Sequence, residues 1–250
     1  MAGHSHWAGI KHKKSLIDSK RGKLWSKLSK AIIVAAKMGG GDTETNSRLR
    51  TAISDAKAAS VPKDNIARAI KKGTGELAGG EVEEVLYEGY GPGGVAVMCE
   101  ILTDNRNRTA PEIRKLFEVN SGKLGSSNCV AWMFERKGLF VVDATEIDEE
   151  TLMELAMEAG ADDIKDENDA FHLTCEVESY SQLSEALEQA EIPVSTKQIT
   201  QLPTNIVDVG GEDARKVLKL LEALDEHDDV QNVSANFNIP DEVLAEITES

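Results

Sequence analysis

The chain has 250 residues, 40% hydrophobic but only 4% aromatic, with a formal net charge of −16. That length allows two or three compact domains with aliphatic cores, and no apolar run nears the roughly 18 residues of a membrane span. Three widely spaced cysteines, Cys99, Cys129 and Cys175, exclude a disulfide framework and a Cys-x-x-Cys metal knuckle.

The opening Met1-Ala2-Gly3-His4-Ser5-His6 has no apolar segment of a secretory leader. The cysteines read as small buried apolar residues, and a cytoplasmic location is expected. Residues 1–75 carry 16 Lys+Arg against 5 Asp+Glu, a net +11. Residues 76–140 are at −3, and residues 141–250, with 5 against 29, at −24. An acidic chain thus holds a basic module, and such asymmetry points to a polyanion partner for the basic part.

In chain order, Met1 to Ser15 reads as a basic arm. Asp18 to Lys37 is predicted helical, with Leu24, Trp25, Leu28, Ala31, Ile32 and Ala35 on one face. Lys20, Lys23, Lys27, Lys30 and Lys37 fall opposite, within an arc of about 100°. Glycines 39–41 stop this helix. A second helix is predicted over Ser47–Ala59. A third starts at Pro62, where helix starts tolerate proline, and runs to Lys72. The three form a small bundle.

From Glu76 the pattern changes. Glu84–Tyr90 and Val95–Thr103 read as strands joined by Gly91-Pro92-Gly93-Gly94. Thr109-Ala110-Pro111-Glu112 reads as a capping box opening a helix to Asn120. Asn128–Glu135 and Leu139–Asp143 are expected to form a hairpin across Arg136-Lys137-Gly138. Asp148 is placed as the cap of a helix to Ala159. Ala170–Val177 is a predicted strand, Ser181–Ala190 a helix and Val194–Leu202 a strand. A long helix follows Gly210-Gly211 to Asp225, then a strand from Val230 to Asn236. Alternating short strands and helices favour α+β layers.

The basic segment carries the strongest functional signal, because phosphate contacts come mainly from Lys and Arg. The candidates for nucleic-acid binding are Lys11, His12, Lys13, Lys14, Lys20, Arg21, Lys23, Lys27 and Lys30, joined by Lys63, Arg68, Lys71 and Lys72 of the third helix. Trp7 either stacks on a base or folds back onto the bundle. His4, His6 and His12, without cysteines or a framing hairpin, make a poor metal site, so neither metal nor cofactor is expected. Arg106 and Arg108, next to a helix start, are possible phosphate contacts; the alternative is a turn whose Asp and Asn bond their own backbone. The Gly89–Gly94 segment lacks the Gly-Lys-Ser/Thr ending of a phosphate loop and reads as a turn. No catalytic set is visible, which argues against an enzyme. The exposed helix face is mostly Lys, which positions a nucleic acid but does not read it. No dimer seam is evident, so a monomer is expected. A rival reading has the −24 region contact a basic protein.

The stretch Met1-Ala2-Gly3-His4-Ser5-His6-Trp7-Ala8-Gly9-Ile10-Lys11-His12-Lys13-Lys14 strongly resembles the YebC/PmpR family, which is related to the mitochondrial translational activator of cytochrome oxidase. The resemblance continues through Lys20-Arg21-Gly22-Lys23, Val61-Pro62-Lys63-Asp64-Asn65-Ile66, Tyr87-Glu88-Gly89-Tyr90-Gly91-Pro92-Gly93-Gly94 and Thr103-Asp104-Asn105-Arg106-Asn107-Arg108-Thr109. A departure is Ser126-Ser127-Asn128-Cys129-Val130, where Gly-Ser-Val is expected before Trp132–Phe134. The resemblance covers essentially the whole chain.

It implies an α+β multidomain fold: an N-terminal three-helix bundle followed by two α+β sheet domains, one inserted in the other. The expected boundaries are 1–77 for the basic helical domain, 78–133 plus 205–250 for one α+β domain and 134–204 for the acidic insert. The final helix and strand, Glu212 to Asn236, would complete the sheet begun at Glu84. The resemblance implies either a DNA-binding transcriptional regulator or a factor acting on ribosomal RNA and the ribosome, relieving stalls at proline-rich stretches.

Overall fold

The structure is a computed structural model that describes residues 21–78, 81–167 and 170–240. Lys11, His12, Lys13, Lys14 and Lys20, the three N-terminal histidines and Trp7 lie outside the described residues. The described chain folds as two compact units, one built from residues 21–131 with Val209–Val233 and the other from Trp132–Asp208 with Ser234–Asn238.

The first unit opens with helices α1 (Arg21–Gly39), α2 (Ser47–Ala58) and α3 (Lys63–Gly73). The apolar stripe expected on α1 widens toward its end. Leu24 remains exposed, whereas all five residues from Ile32 to Ala36 are buried because both α2 and α3 pack against this helix. Asn46 fastens the turn between α1 and α2. Its Oδ1 accepts from Leu49 N–H at 3.0 Å, and its Nδ2 donates to the Ala35 and Gly40 carbonyls at 2.8 Å. One side chain thereby satisfies groups at both helix ends that would otherwise be unpaired. Gly73 marks a close approach of α3 to α1: a Cβ there would land on the Ile33 carbonyl oxygen and the Ala36 methyl.

The same unit holds a sheet of β1 (Glu83–Tyr90), β2 (Ala96–Thr103), β3 (Lys123–Leu124) and β9 (Val230–Ala235) in the order β3-β1-β2-β9, with β1 antiparallel to both β2 and β3. Strands β1 and β2 pair from Glu83↔Thr103 to Tyr90↔Ala96 across a short 3₁₀ turn at Pro92–Gly94. Every β2 residue except Glu100 is buried, as expected of a central strand covered on both faces. Helix α4 (Arg106–Val119) leads to the two-residue β3 (Lys123–Leu124). After the second unit's strands come helix α7 (Gly211–Asp225) and β9 (Val230–Ala235), which lies beside β2 as expected. Glu88, buried on β1, takes backbone N–H bonds from Asn128, Val130 and Ala131 at 2.7 to 2.9 Å and so shapes the loop ahead of Trp132.

The second unit runs β4 (Phe134–Asp143), α5 (Glu149–Glu158), β5 (Ala161–Glu167), β6 (Ala170–Cys175), α6 (Tyr180–Gln189) and β7 (Val194–Pro203). The sheet order is β5-β6-β4-β7 and all pairings are antiparallel. This β-α-β-β-α-β path is the ferredoxin-like arrangement. Both helices cover one face over a core that includes Phe140, Leu152, Leu173, Leu183 and Leu187. The Phe140 and Tyr180 rings lie 4.9 Å apart. Strands β8 (Val207–Asp208) and β10 (Phe237–Asn238) form a short parallel pair.

Three sequence expectations fail in informative ways. The hairpin across Arg136-Lys137-Gly138 does not exist; β4 runs straight through it. Gly138 is there because a Cβ would sit 2.6 Å from the Cys175 sulfur and 2.8 Å from the Tyr180 ring, so it marks close packing rather than a turn. Strand β5, Ala-Asp-Asp-Ile-Lys-Asp-Glu, is absent from the expected elements because its sequence is so acidic; it is an edge strand, where charge is tolerated. Thr109 does not cap α4. Asn105 does, accepting from Arg108 N–H at 3.1 Å, and Thr109 lies inside the helix with its hydroxyl buried. Cys99 and Cys175 are buried as expected and Cys129 is half-buried. Burial raises the Cys175 thiol to about 11, with a smaller contribution from Asp162.

Candidate nucleic-acid interface

Helix α1 carries its lysines at i, i+4 and i+7, and the first unit turns all three toward one acidic corner. The corner is Asp225-Glu226-His227-Asp228-Asp229, where α7 ends and β9 begins. Lys23 lies 3.6 Å from Asp228 and donates to the Glu226 carbonyl; Lys27 donates to the Asp225 carbonyl at 2.6 Å. Lys30 reaches Asp229 at 2.5 Å and the Asp228 carbonyl at 3.1 Å. Free carbonyls at a helix C-terminus and nearby carboxylates together attract cations. Farther along the bundle, Lys37 faces Glu81 and Arg48 faces Glu84.

Asp229 is the centre of this corner, with its side chain only 2% exposed. Besides Lys30 it holds the Arg108 guanidinium at 2.6 Å, the Thr109 hydroxyl at 2.7 Å and the Thr103 hydroxyl at 3.3 Å. Burial alone would raise its pKa. The hydrogen bonds from Lys30, Thr109 and Arg108, with the Lys30 charge, outweigh burial and hold the carboxyl well below the usual range. The Arg108 pKa is raised in turn, chiefly by the hydrogen bond to Asp229. Arg108 therefore faces a carboxylate in this structure, and Arg106 lies 3.6 Å from Glu83. Within Asp104–Thr109 the Asn105 side chain accepts from Arg108 N–H, and Asn105 N–H donates to the Thr103 hydroxyl.

His227 and Glu112 extend the cluster along an open groove of about 860 Å³ between α1, α4 and the end of α7. Glu112, His227 and Asp229 present ligand-type atoms within 4.8 Å of one another. However, His227 Nδ1 accepts from the Asp229 N–H and Nε2 lies 3.0 Å from Glu112. With both Asp229 oxygens committed to cations and hydroxyls, the three residues are joined to the protein rather than poised for an ion.

The basic face that stays open is on α3. Ile66 and Ala69 point inward, and Lys63, Arg68 and Lys71 are exposed on the other side with Lys72 half-buried. None of the four forms an ion pair among the described residues, in contrast to Lys23, Lys27 and Lys30. Arg21 opens α1. Sequence reasoning grouped α1 and α3 as one basic surface. It did not place Thr103, Glu112 or Asp229 in the site; the linear signal of Asp229 is the acidic run at 225–229, about 200 positions from the lysines it binds.

Two family models match the chain, the TACO1/YebC protein N-terminal domain over residues 5–76 and the TACO1/YebC second and third domain over residues 82–237. Full-length relatives named probable transcriptional regulatory protein include one from Natranaerobius thermophilus, 58% identical over 98% of this chain and 99% of its own. Another, from Rhodopirellula baltica, is 58% identical over 98% of this chain and all of its own. The crystal structure of a conserved hypothetical protein from Aquifex aeolicus matches with a TM-score of 0.86 and 52% identity, over 96% of this chain and 99% of that one.

Proposed function

Because the chain belongs to the TACO1/YebC family, we propose that it is a nucleic-acid-binding regulator of gene expression that holds its polyanion on the α3 face. The observation that carries this reading is the contrast within the bundle. The α1 lysines neutralise carboxylates of the same chain, whereas Lys63, Arg68, Lys71 and Lys72 keep their charge available. Uncompensated cations on one helix face bind phosphates and release counterions. The names of the relatives favour a role in transcription, for which duplex DNA is the matching polyanion. No described helix is long and apolar enough to cross a membrane.

A second reading, binding of ribosomal RNA as a translation factor, is favoured by the chemistry of the face itself. Its side chains are mainly lysine, a point charge, with Arg68 the one bidentate group. Such a face follows a phosphate backbone and leaves bases largely unread.

The test is fluorescence anisotropy with mixed-sequence duplex DNA and with structured RNA over a salt series, comparing the protein with Lys63→Ala/Arg68→Ala/Lys71→Ala. Loss of three phosphate contacts should flatten the DNA salt slope by about 2.7 and weaken binding at least tenfold at low salt. An unchanged slope would remove α3 from the interface. Preference for one nucleic acid at equal salt decides between the two readings.

A further inference from the structure

The helical layer of the second unit has an outer surface that solubility alone does not explain. Helix α5, Glu-Glu-Thr-Leu-Met-Glu-Leu-Ala-Met-Glu, contains four glutamates and no basic residue. Helix α6, which packs beside it, adds Glu185 and Glu188 and again no Lys or Arg. The unit's basic residues lie on its strands instead, where Lys137 pairs with Asp162 and Glu176, Lys165 with Asp163 and Lys197 with Glu188. Soluble surfaces ordinarily intersperse the two signs.

Within this acidic surface stand two large apolar side chains. Leu152 and Ala156 turn inward to the core, while Met153 and Met157 turn outward with 43% and 53% of their surface exposed. Four residues apart, they adjoin on the helix surface as a short apolar ridge. At about 100° per residue, Glu149, Glu150, Glu154 and Glu158 fall on both sides of it. Methionine is flexible and polarisable, and it is favoured on surfaces that receive other helices.

We propose that α5 is a docking surface for a Lys/Arg-rich amphipathic helix of a partner protein. The Met153–Met157 ridge would pack against the partner's apolar stripe, and the flanking glutamates would pair with its cations. Charge complementarity selects this occupant: the surface repels nucleic acid and anionic membranes and leaves a cationic peptide as the matching macromolecule. The ridge selects a helix, since an apolar pair one turn apart matches i, i+4 anchors. The assignment is independent of the α3 face, which is on the other unit.

The experiment uses the full chain, freed of nucleic acid, and a labelled 18-residue peptide of lysine and leucine with leucines at i, i+3 and i+4. A scrambled peptide of identical composition is the control. The ordered peptide should bind at least tenfold more tightly than the scrambled one. Met153→Ser/Met157→Ser should reduce that preference below threefold, and Met153→Leu/Met157→Leu should keep it, with circular dichroism confirming the fold of each variant. Equal binding of the two peptides, or a preference that survives the serine variant, overturns the proposal. Self-association that the serine substitutions abolish also overturns it, by assigning the ridge to a second copy of the chain.

Discussion

Replacing Asp229 with asparagine keeps the shape of the side chain and removes the charge at the centre of the α1–α7 corner. Two cations then face a neutral amide. Lys30, with 17% of its side chain exposed, is largely cut off from water, while Arg108 at 45% can rehydrate. Losing one partner of a buried ion pair costs about 3–5 kcal/mol, and the exposure of Arg108 places this case near 3 kcal/mol on that scale. The pH dependence has a definite sign. The folded carboxyl is held below its ordinary value, so its contribution is complete above the unfolded pKa of about 3.9 and is lost as pH falls from there toward the folded value. Urea unfolding at pH 7 should show the asparagine variant less stable by about 3 kcal/mol, with the gap to the parent closing below about pH 4. A loss under about 1 kcal/mol, or a gap that stays constant down to pH 3, would refute the view that this carboxylate anchors α1.

Other substitutions separate anchoring from binding. Lys27→Glu/Lys30→Glu should lower the thermal midpoint markedly, because repulsion at two positions replaces three bonds to the acidic corner; an unchanged midpoint would return those lysines to the open basic surface. Glu88→Gln should cost about 2 kcal/mol and speed hydrogen exchange at Asn128, Val130 and Ala131, since the amide NH₂ faces donors that it cannot accept from. Unchanged exchange there would show that the loop is held by other contacts. Gly73→Ala should destabilise by about 1–3 kcal/mol through overpacking, and a neutral result in denaturant melts would mean that α1 and α3 separate easily.

The bundle was legible because its helices are amphipathic and two of them, α1 and α3, end at glycines, as at Gly40 with φ of +83°. The closing strand beside β2 was also anticipated, but from family resemblance rather than from periodicity. Elements set by tertiary context were not legible. Gly138 looks like a turn until Cys175 and Tyr180 are placed above it, and β5 looks like a solvated loop until β6 is beside it. The candidate site divides the same way. The excess of cations is a property of composition, but which of them are already neutralised depends on contacts spanning about 200 residues. The Asp104–Thr109 segment reads from its sequence either as a phosphate loop or as a self-bonded turn. The deciding residue, Asp229, lies 121 positions beyond Arg108.

The route of the chain through the first sheet also fixes an order of events during synthesis. Strands β4 to β7 occupy one continuous stretch and can find one another as soon as they emerge. The first sheet cannot be finished until β9, more than 120 residues after β2, has been made. Lys23, Lys27 and Lys30 are farther still from their partners in the Asp225–Asp229 corner, by 198 to 203 positions. Until that corner is made, the α1 lysines lack the partners that neutralise them in the folded chain. Closing so distant a contact is slow, so docking of the Asp225–Asp229 corner is the step that converts those lysines from free charges into structural ones.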